Sequence, residues 1–97
     1  MNHLIGEFVL VRTRDAGVHC GYLRSLVDTV CVLEESRRVW RWRGANSLNE
    51  LSQNGASLEW TRISEPVPLI YLPQSIEVIP CSPKSTENLR CSRWSKE

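Results

Sequence analysis

Ninety-seven residues suffice for one domain with one modest core. Hydrophobic residues make up 41% of the chain and charged residues 24%, a globular composition that excludes a disordered polymer. The formal net charge of +1 singles out neither nucleic acid nor an anionic membrane as a partner.

The first apolar run, Leu4 to Val11, is broken by Glu7 and ends at Arg12. It is too short for a membrane span and lacks the pattern of a secretion signal, so a cytoplasmic protein is expected. Phe8 to Thr13 is β-branched and apolar and predicts a strand. Asp15-Ala16-Gly17 predicts a turn, with Gly17 free to take positive φ. Val18 to Leu26 alternates loosely and predicts the returning strand, with Gly21 marking a bulge or a close backbone approach. Val27-Asp28 predicts the next turn and Thr29 to Leu33 a third strand. Glu34-Glu35-Ser36 reads as a polar turn into a fourth strand, Arg37 to Arg43.

The pattern then changes. Ser47-Leu48-Asn49-Glu50 is a capping box, Leu48 and Leu51 share a helical face, and Asn54-Gly55 supplies a left-handed stop. These residues predict a helix of about two turns that needs a sheet to pack on. Pro66 and Pro68 keep their segment out of the middle of a sheet. Leu69 to Leu72 and Ser75 to Ile79 are strand candidates around Pro73-Gln74. Ser82-Pro83 predicts the start of a last helix, running to about Cys91. The whole reads as an α+β, mainly β chain: a small antiparallel curved sheet or partial barrel, made of a four-strand meander, a short inserted helix and one or two further strands. One β-rich domain is expected over residues 1–91, with a fraying tail at 92–97.

The four cysteines, Cys20, Cys31, Cys81 and Cys91, contain no C-x-x-C pair, and the only histidines are His3 and His19. Reduced thiols and no structural metal are the expectation. The five glycines are scattered, and neither H-E-x-x-H nor G-x-S-x-G occurs. Cys20 and His19 adjoin, but neighbours on a strand point to opposite faces, so they make no catalytic pair. Cys20 is expected in the core and His19 at the surface. No enzyme activity and no cofactor are predicted.

Arg37-Arg38-Val39-Trp40-Arg41-Trp42-Arg43 is the most informative segment. Period two places Trp40 and Trp42 on one face with Arg38, and Arg37, Val39, Arg41 and Arg43 on the other. In one reading the tryptophans fill the core and the arginines form a solvated face. In the other, Arg37, Arg41 and Arg43 with Trp40 and Trp42 make a basic, aromatic binding surface for an anionic partner, which Arg12 and His19 extend.

Three stretches carry a family resemblance. They are Val11-Arg12-Thr13 with Ala16 to Gly21, Trp40 to Leu48 with Glu50-Leu51, and Ile76 to Cys81. They resemble a family of small uncharacterised domains found mainly in tailed bacteriophages and prophages. The resemblance implies a phage or prophage source, and hence the cytoplasm of a host bacterium, but brings no activity with it. The expected function is that of a non-catalytic accessory protein that inhibits or modulates a host protein, with host defence systems (the anti-CRISPR kind of target) among the candidates. The alternative is a nucleic-acid or nucleotide-binding module that uses the Arg/Trp surface, and a virion-associated role is a third.

Overall fold

The β-branched run Phe8–Thr13 forms strand β1 in the computed structural model of the chain, which describes residues 4–14, 17–41, 47–55 and 62–91. Gly17 takes the left-handed conformation expected of it, with φ 85°, and the chain returns as β2 (Val18–Val27). The next reversal falls at Asp28-Thr29, one residue later than the sequence predicts. Asp28 adopts φ 54°, and Val27 lies directly opposite Val30.

The predicted four-strand meander has three strands. Glu34-Glu35-Ser36 is not a turn, because β3 runs unbroken from Val30 to Arg41. Its polar residues mark a bulge instead. On β2, Tyr22 faces Glu34 and Cys20 faces Arg37, so Gly21 alone spans Glu35 and Ser36. Glu35 sits at φ 51°, the left-handed position of such a bulge. Gly21 makes the room: a Cβ there would lie 2.9 Å from the Glu34 carbonyl oxygen and 3.1 Å from Ser36 Cα. The irregularity that Gly21 announces therefore belongs to its neighbour.

Two strands follow the far side of β3. β4 (Arg62–Ile63) pairs with its end and β5 (Val67–Leu72) with its first half, both antiparallel. Pro68 sits within this interrupted edge, where a missing N–H is tolerated. β6 (Ser75–Pro80) pairs with β1, giving the order β6-β1-β2-β3-β5. Only Pro73-Gln74 links β5 to β6, although the two lie at opposite edges. A link that short forces the sheet to curl. The side chains show the same curl: Val9, Val11, Leu23, Cys31, Leu33 and Leu72 bury together, with Ile70 and Val78 packed on them. All five long strands thus meet in one concave core.

A second core fills the convex side. Phe8, Leu10, Cys20, Val39 and Ile63 of the sheet pack on Leu51 and Leu89 from two helices. Helix α1 (Leu48–Asn54) begins where the capping box places it: the Ser47 hydroxyl accepts from the Glu50 N–H at 3.2 Å. It stops at Gly55, with φ 77°. Helix α2 (Pro83–Cys91) has Pro83 as its first residue, and the Ser82 hydroxyl accepts from the Ser85 N–H at 3.1 Å. Seven residues of isolated helix would not hold in water. The Gly55 N–H donates to Leu51 O at 3.0 Å, and the start of α2 adds further donors to the last carbonyls of α1. The Ser85 hydroxyl donates to Leu51 O at 2.6 Å, the Ser82 N–H to Ser52 O at 2.8 Å, and the Ser82 hydroxyl to Gln53 O.

Candidate functional site

Period two sorts Arg37, Arg38 and Val39 as expected, but the face is inverted. Arg37 and Val39 are buried, while Arg38 between them is exposed. Arg37 is not a solvated binding residue. Its Nε donates to Ser64 O at 2.8 Å, and its Nη1 donates to Leu89 O and Arg90 O, each at 3.1 Å. Those carbonyls end α2, where a cation is favoured twice over, by hydrogen bonding and by the helix dipole. Arg37 is thus a structural staple between sheet and helix. Trp40 and Arg41 close β3, but their side chains, and Trp42 and Arg43 entirely, lie outside the described residues.

The other predicted site residues do not gather around that strand. Arg12 is exposed and sits 3.5 Å from Glu77 across β1 and β6. His19 is only 1% exposed, contrary to the surface position expected of it. It faces the concave side because it stands opposite Val11. Glu34 pairs with Arg24 at 2.9 Å rather than with Arg37 or Arg38. Such exposed pairs contribute little stability, but they remove charge from any basic surface.

Sequence reasoning missed the most distinctive surface. The helices cover only the part of the convex face that carries Phe8, Leu10, Cys20 and Val39. Tyr22 marks the border, edge-on to Phe8 with ring centroids 5.1 Å apart and with the Arg90 guanidinium 5.6 Å from its own centroid. Beyond it the register places Val27 opposite Val30, Val32 opposite Tyr71, and Glu34 opposite Leu69. These residues share the convex face with Tyr22, which also stands opposite Glu34. Val27 and Tyr71 are each 66% exposed, Leu69 is 40% and Val30 is 39%. Val27, Val30, Leu69 and Tyr71 are thus exposed apolar residues on one face of the β2–β3 hairpin end and β5, with the Arg24–Glu34 pair beside them. An apolar patch with a polar rim is the usual mark of an interaction surface. The signal in the sequence was the run Val67–Leu72, whose apolar residues occupy both alternating positions although a surface strand needs only one.

Burial silences the described thiols. Desolvation pushes Cys20 up to about 12, with the neighbouring Cys81 adding to it and Arg37 opposing it. Desolvation likewise takes Cys31 and Cys81 to about 11, the latter against a hydrogen bond with Ser85. Thiols so shifted hold no thiolate at neutral pH and are poor nucleophiles and metal ligands. All three are free. Among the described residues no helix is long and apolar enough to cross a membrane, and no three His, Cys, Asp or Glu residues cluster as metal ligands.

The fold defines a mainly β protein: a curved antiparallel sheet with two helices packed on its outer face. The chain belongs to the family described as Domain of unknown function (DUF6948), whose family model matches residues 6–89. No curated protein and no solved structure matches it.

Proposed function

We propose that this protein is a non-catalytic binding module that acts by covering the surface of another protein. The observation that carries this reading is the uncovered convex patch of Val27, Val30, Leu69 and Tyr71. Buried, desolvated thiols support a binding role over nucleophilic chemistry. The resemblance to phage and prophage domains makes the partner a bacterial host protein in the host cytoplasm, and a host defence complex is the class to test first. The Arg/Trp nucleic-acid surface has less support, because Arg37 is committed to carbonyls and Arg12 and Arg24 to glutamates.

The test is comparative capture from bacterial lysate, run with and without nuclease. Parent protein, Tyr71→Glu and Arg12→Ala serve as baits. The reading requires a partner protein that the parent and Arg12→Ala retain and Tyr71→Glu loses. It fails if the retained material is nucleic acid, or if Tyr71→Glu holds the same partner as strongly as the parent. Circular dichroism and size exclusion of the free baits establish that the substitution leaves the fold intact.

A further inference from the structure

Among the described residues β5 pairs with β3 alone, so its second edge is open. Open edges are normally blunted by charge, by proline or by a bulge. Val67–Leu72 carries no charge, and its register against β3 runs without a shift. The phase of the backbone shows that Pro68 does not protect the edge either. The Leu23 N–H donates to Glu7 O, and Leu23 O accepts from the Gly6 N–H, so Leu23 turns to the β1 side. Successive residues of an antiparallel strand turn to opposite neighbours. Tyr22 therefore turns to β3 and to Glu34 opposite it, and Leu33 turns the other way, to Ile70 on β5. Pro68 turns inward with Ile70, so its missing N–H falls on the β3 side. The N–H and C=O groups of Leu69 and Tyr71 are left facing out of the open edge.

An edge with this spacing is complementary to itself. Turned end for end about Ile70, a second copy sets its Tyr71 opposite Leu69 and its Leu69 opposite Tyr71. Each opposed pair exchanges an N–H and a C=O in both directions, as hydrogen-bonded pairs of an antiparallel ladder do. The exposed side chains of Leu69 and Tyr71 then meet across the new ladder as aliphatic–aromatic pairs, which favour antiparallel pairing. Charge agrees with the same symmetry. Glu65 precedes β5 at one end, and at the other Gln74 O accepts from the Arg14 N–H at 3.0 Å. Both Glu65 and Arg14 are exposed, and neither forms an ion pair among the described residues. End-for-end pairing brings Glu65 of each copy to the Arg14 end of the other, once on either side of the dyad. This match of opposite charges selects a second copy over an unrelated strand.

We infer that the open edge of β5 pairs antiparallel with β5 of a second copy of this chain, about a dyad at Ile70, to give a closed dimer. The inference goes beyond the binding role proposed above. Edge pairing joins the two sheets laterally, so the convex faces of both copies stay open to a partner and lie side by side.

The experiment is sedimentation velocity of the full chain with amide hydrogen exchange at the same concentrations. A monomer–dimer equilibrium with no larger species is expected, half-dimerised between about 10 µM and 1 mM as suits a small interface. Exchange at the Leu69 and Tyr71 amides should slow as concentration rises, whereas Ile70, already bonded to β3, should not change. Arg14→Glu and Glu65→Arg should each weaken the dimer about tenfold at low salt, because two ion pairs turn from attraction to repulsion. The double variant Arg14→Glu with Glu65→Arg should recover the parent affinity to within about twofold. Tyr71→Pro removes an outward N–H and should abolish the dimer; the charge variants keep the test valid if that chain fails to fold. The inference is overturned by a chain that stays monomeric at about 1 mM, which would leave the edge to a strand of a different protein. It is also overturned by a dimer in which Leu69 and Tyr71 exchange as fast as in the monomer, or by a double variant as weak as the single ones. The charge variants leave Val27, Val30, Leu69 and Tyr71 in place, so capture of a host protein by a monomeric charge variant separates the two readings.

Discussion

Removing Arg37 tests the architecture most directly. In Arg37→Ala the carbonyls of Ser64, Leu89 and Arg90 lose donors at 2.8, 3.1 and 3.1 Å. Hydrogen bonds to a charged group contribute about 1.5–3 kcal/mol each. Three bonds on one guanidinium do not add in full, since they share its desolvation and its rotamer entropy. A loss of about 3–4 kcal/mol is expected, against a total of roughly 5–15 kcal/mol for a domain of this kind. With a urea m-value of about 1.5 kcal/mol/M, the unfolding midpoint should fall by roughly 2 M. The neighbouring Arg38→Ala, on the exposed side of the same strand, should stay within about 0.5 kcal/mol of the parent. Arg37→Lys should recover only part of the loss, because an ammonium lacks the fork that reaches both Ser64 and α2. Native-state hydrogen exchange should show α2 losing protection before β1 and β2. If Arg37→Ala and Arg38→Ala unfold at the same urea concentration, Arg37 is not the staple described.

The two constrained glycines should separate steric from conformational cost. Gly21→Ala places a Cβ against the backbone of Glu34 and Ser36 and should cost about 2–3 kcal/mol in chemical denaturation; a value near zero would mean that the bulge is not held as described. Gly55→Ala combines φ 77° with a Cβ 2.6 Å from Asn88 Cγ, whereas Gly17 at φ 85° has nothing within 4 Å. Gly55→Ala should therefore cost clearly more than Gly17→Ala, for which only about 1–2 kcal/mol of backbone strain applies, and equal effects would remove Asn88 from the account. The thiols predict a pH response. An unfolded thiol ionises near 9.0 and the described folded ones at about 11 to 12, so the folded state holds its protons longer. That contribution to stability is complete below about pH 9 and declines as pH rises towards 11–12. Urea midpoints that rise between pH 9 and 10.5 in the parent would contradict it. A thiol reagent at pH 8 should find Cys20, Cys31 and Cys81 slow in the native protein, and all four cysteines fast after denaturation.

Elements specified by neighbouring residues were legible from the sequence. Phe8–Thr13 announced β1 by β-branching, Ser47 and Gly55 bounded α1 by capping chemistry, and Pro83 marked the start of α2. Each signal acts over a few residues, within reach of a side chain. Glu34-Glu35-Ser36 misled because polar residues serve equally in a turn and in a bulge. What decided between them was Gly21, whose missing Cβ admits the extra residue from the strand beside it.

The candidate surfaces depended on what packs where. Alternation could group Arg37 with Val39, but not say whether that side meets water or a helix. That choice was made by α2, whose last carbonyls lie 52 and 53 residues further along the chain. Among the described residues the helices pack on Phe8, Leu10, Cys20, Val39 and Ile63 and leave Val27, Val30, Leu69 and Tyr71 exposed. The sequence by itself determined the strands, the caps and the two-faced character of β3. Tertiary structure decided which face is core, since a side chain's burial is a property of the elements that reach it and not of its own segment.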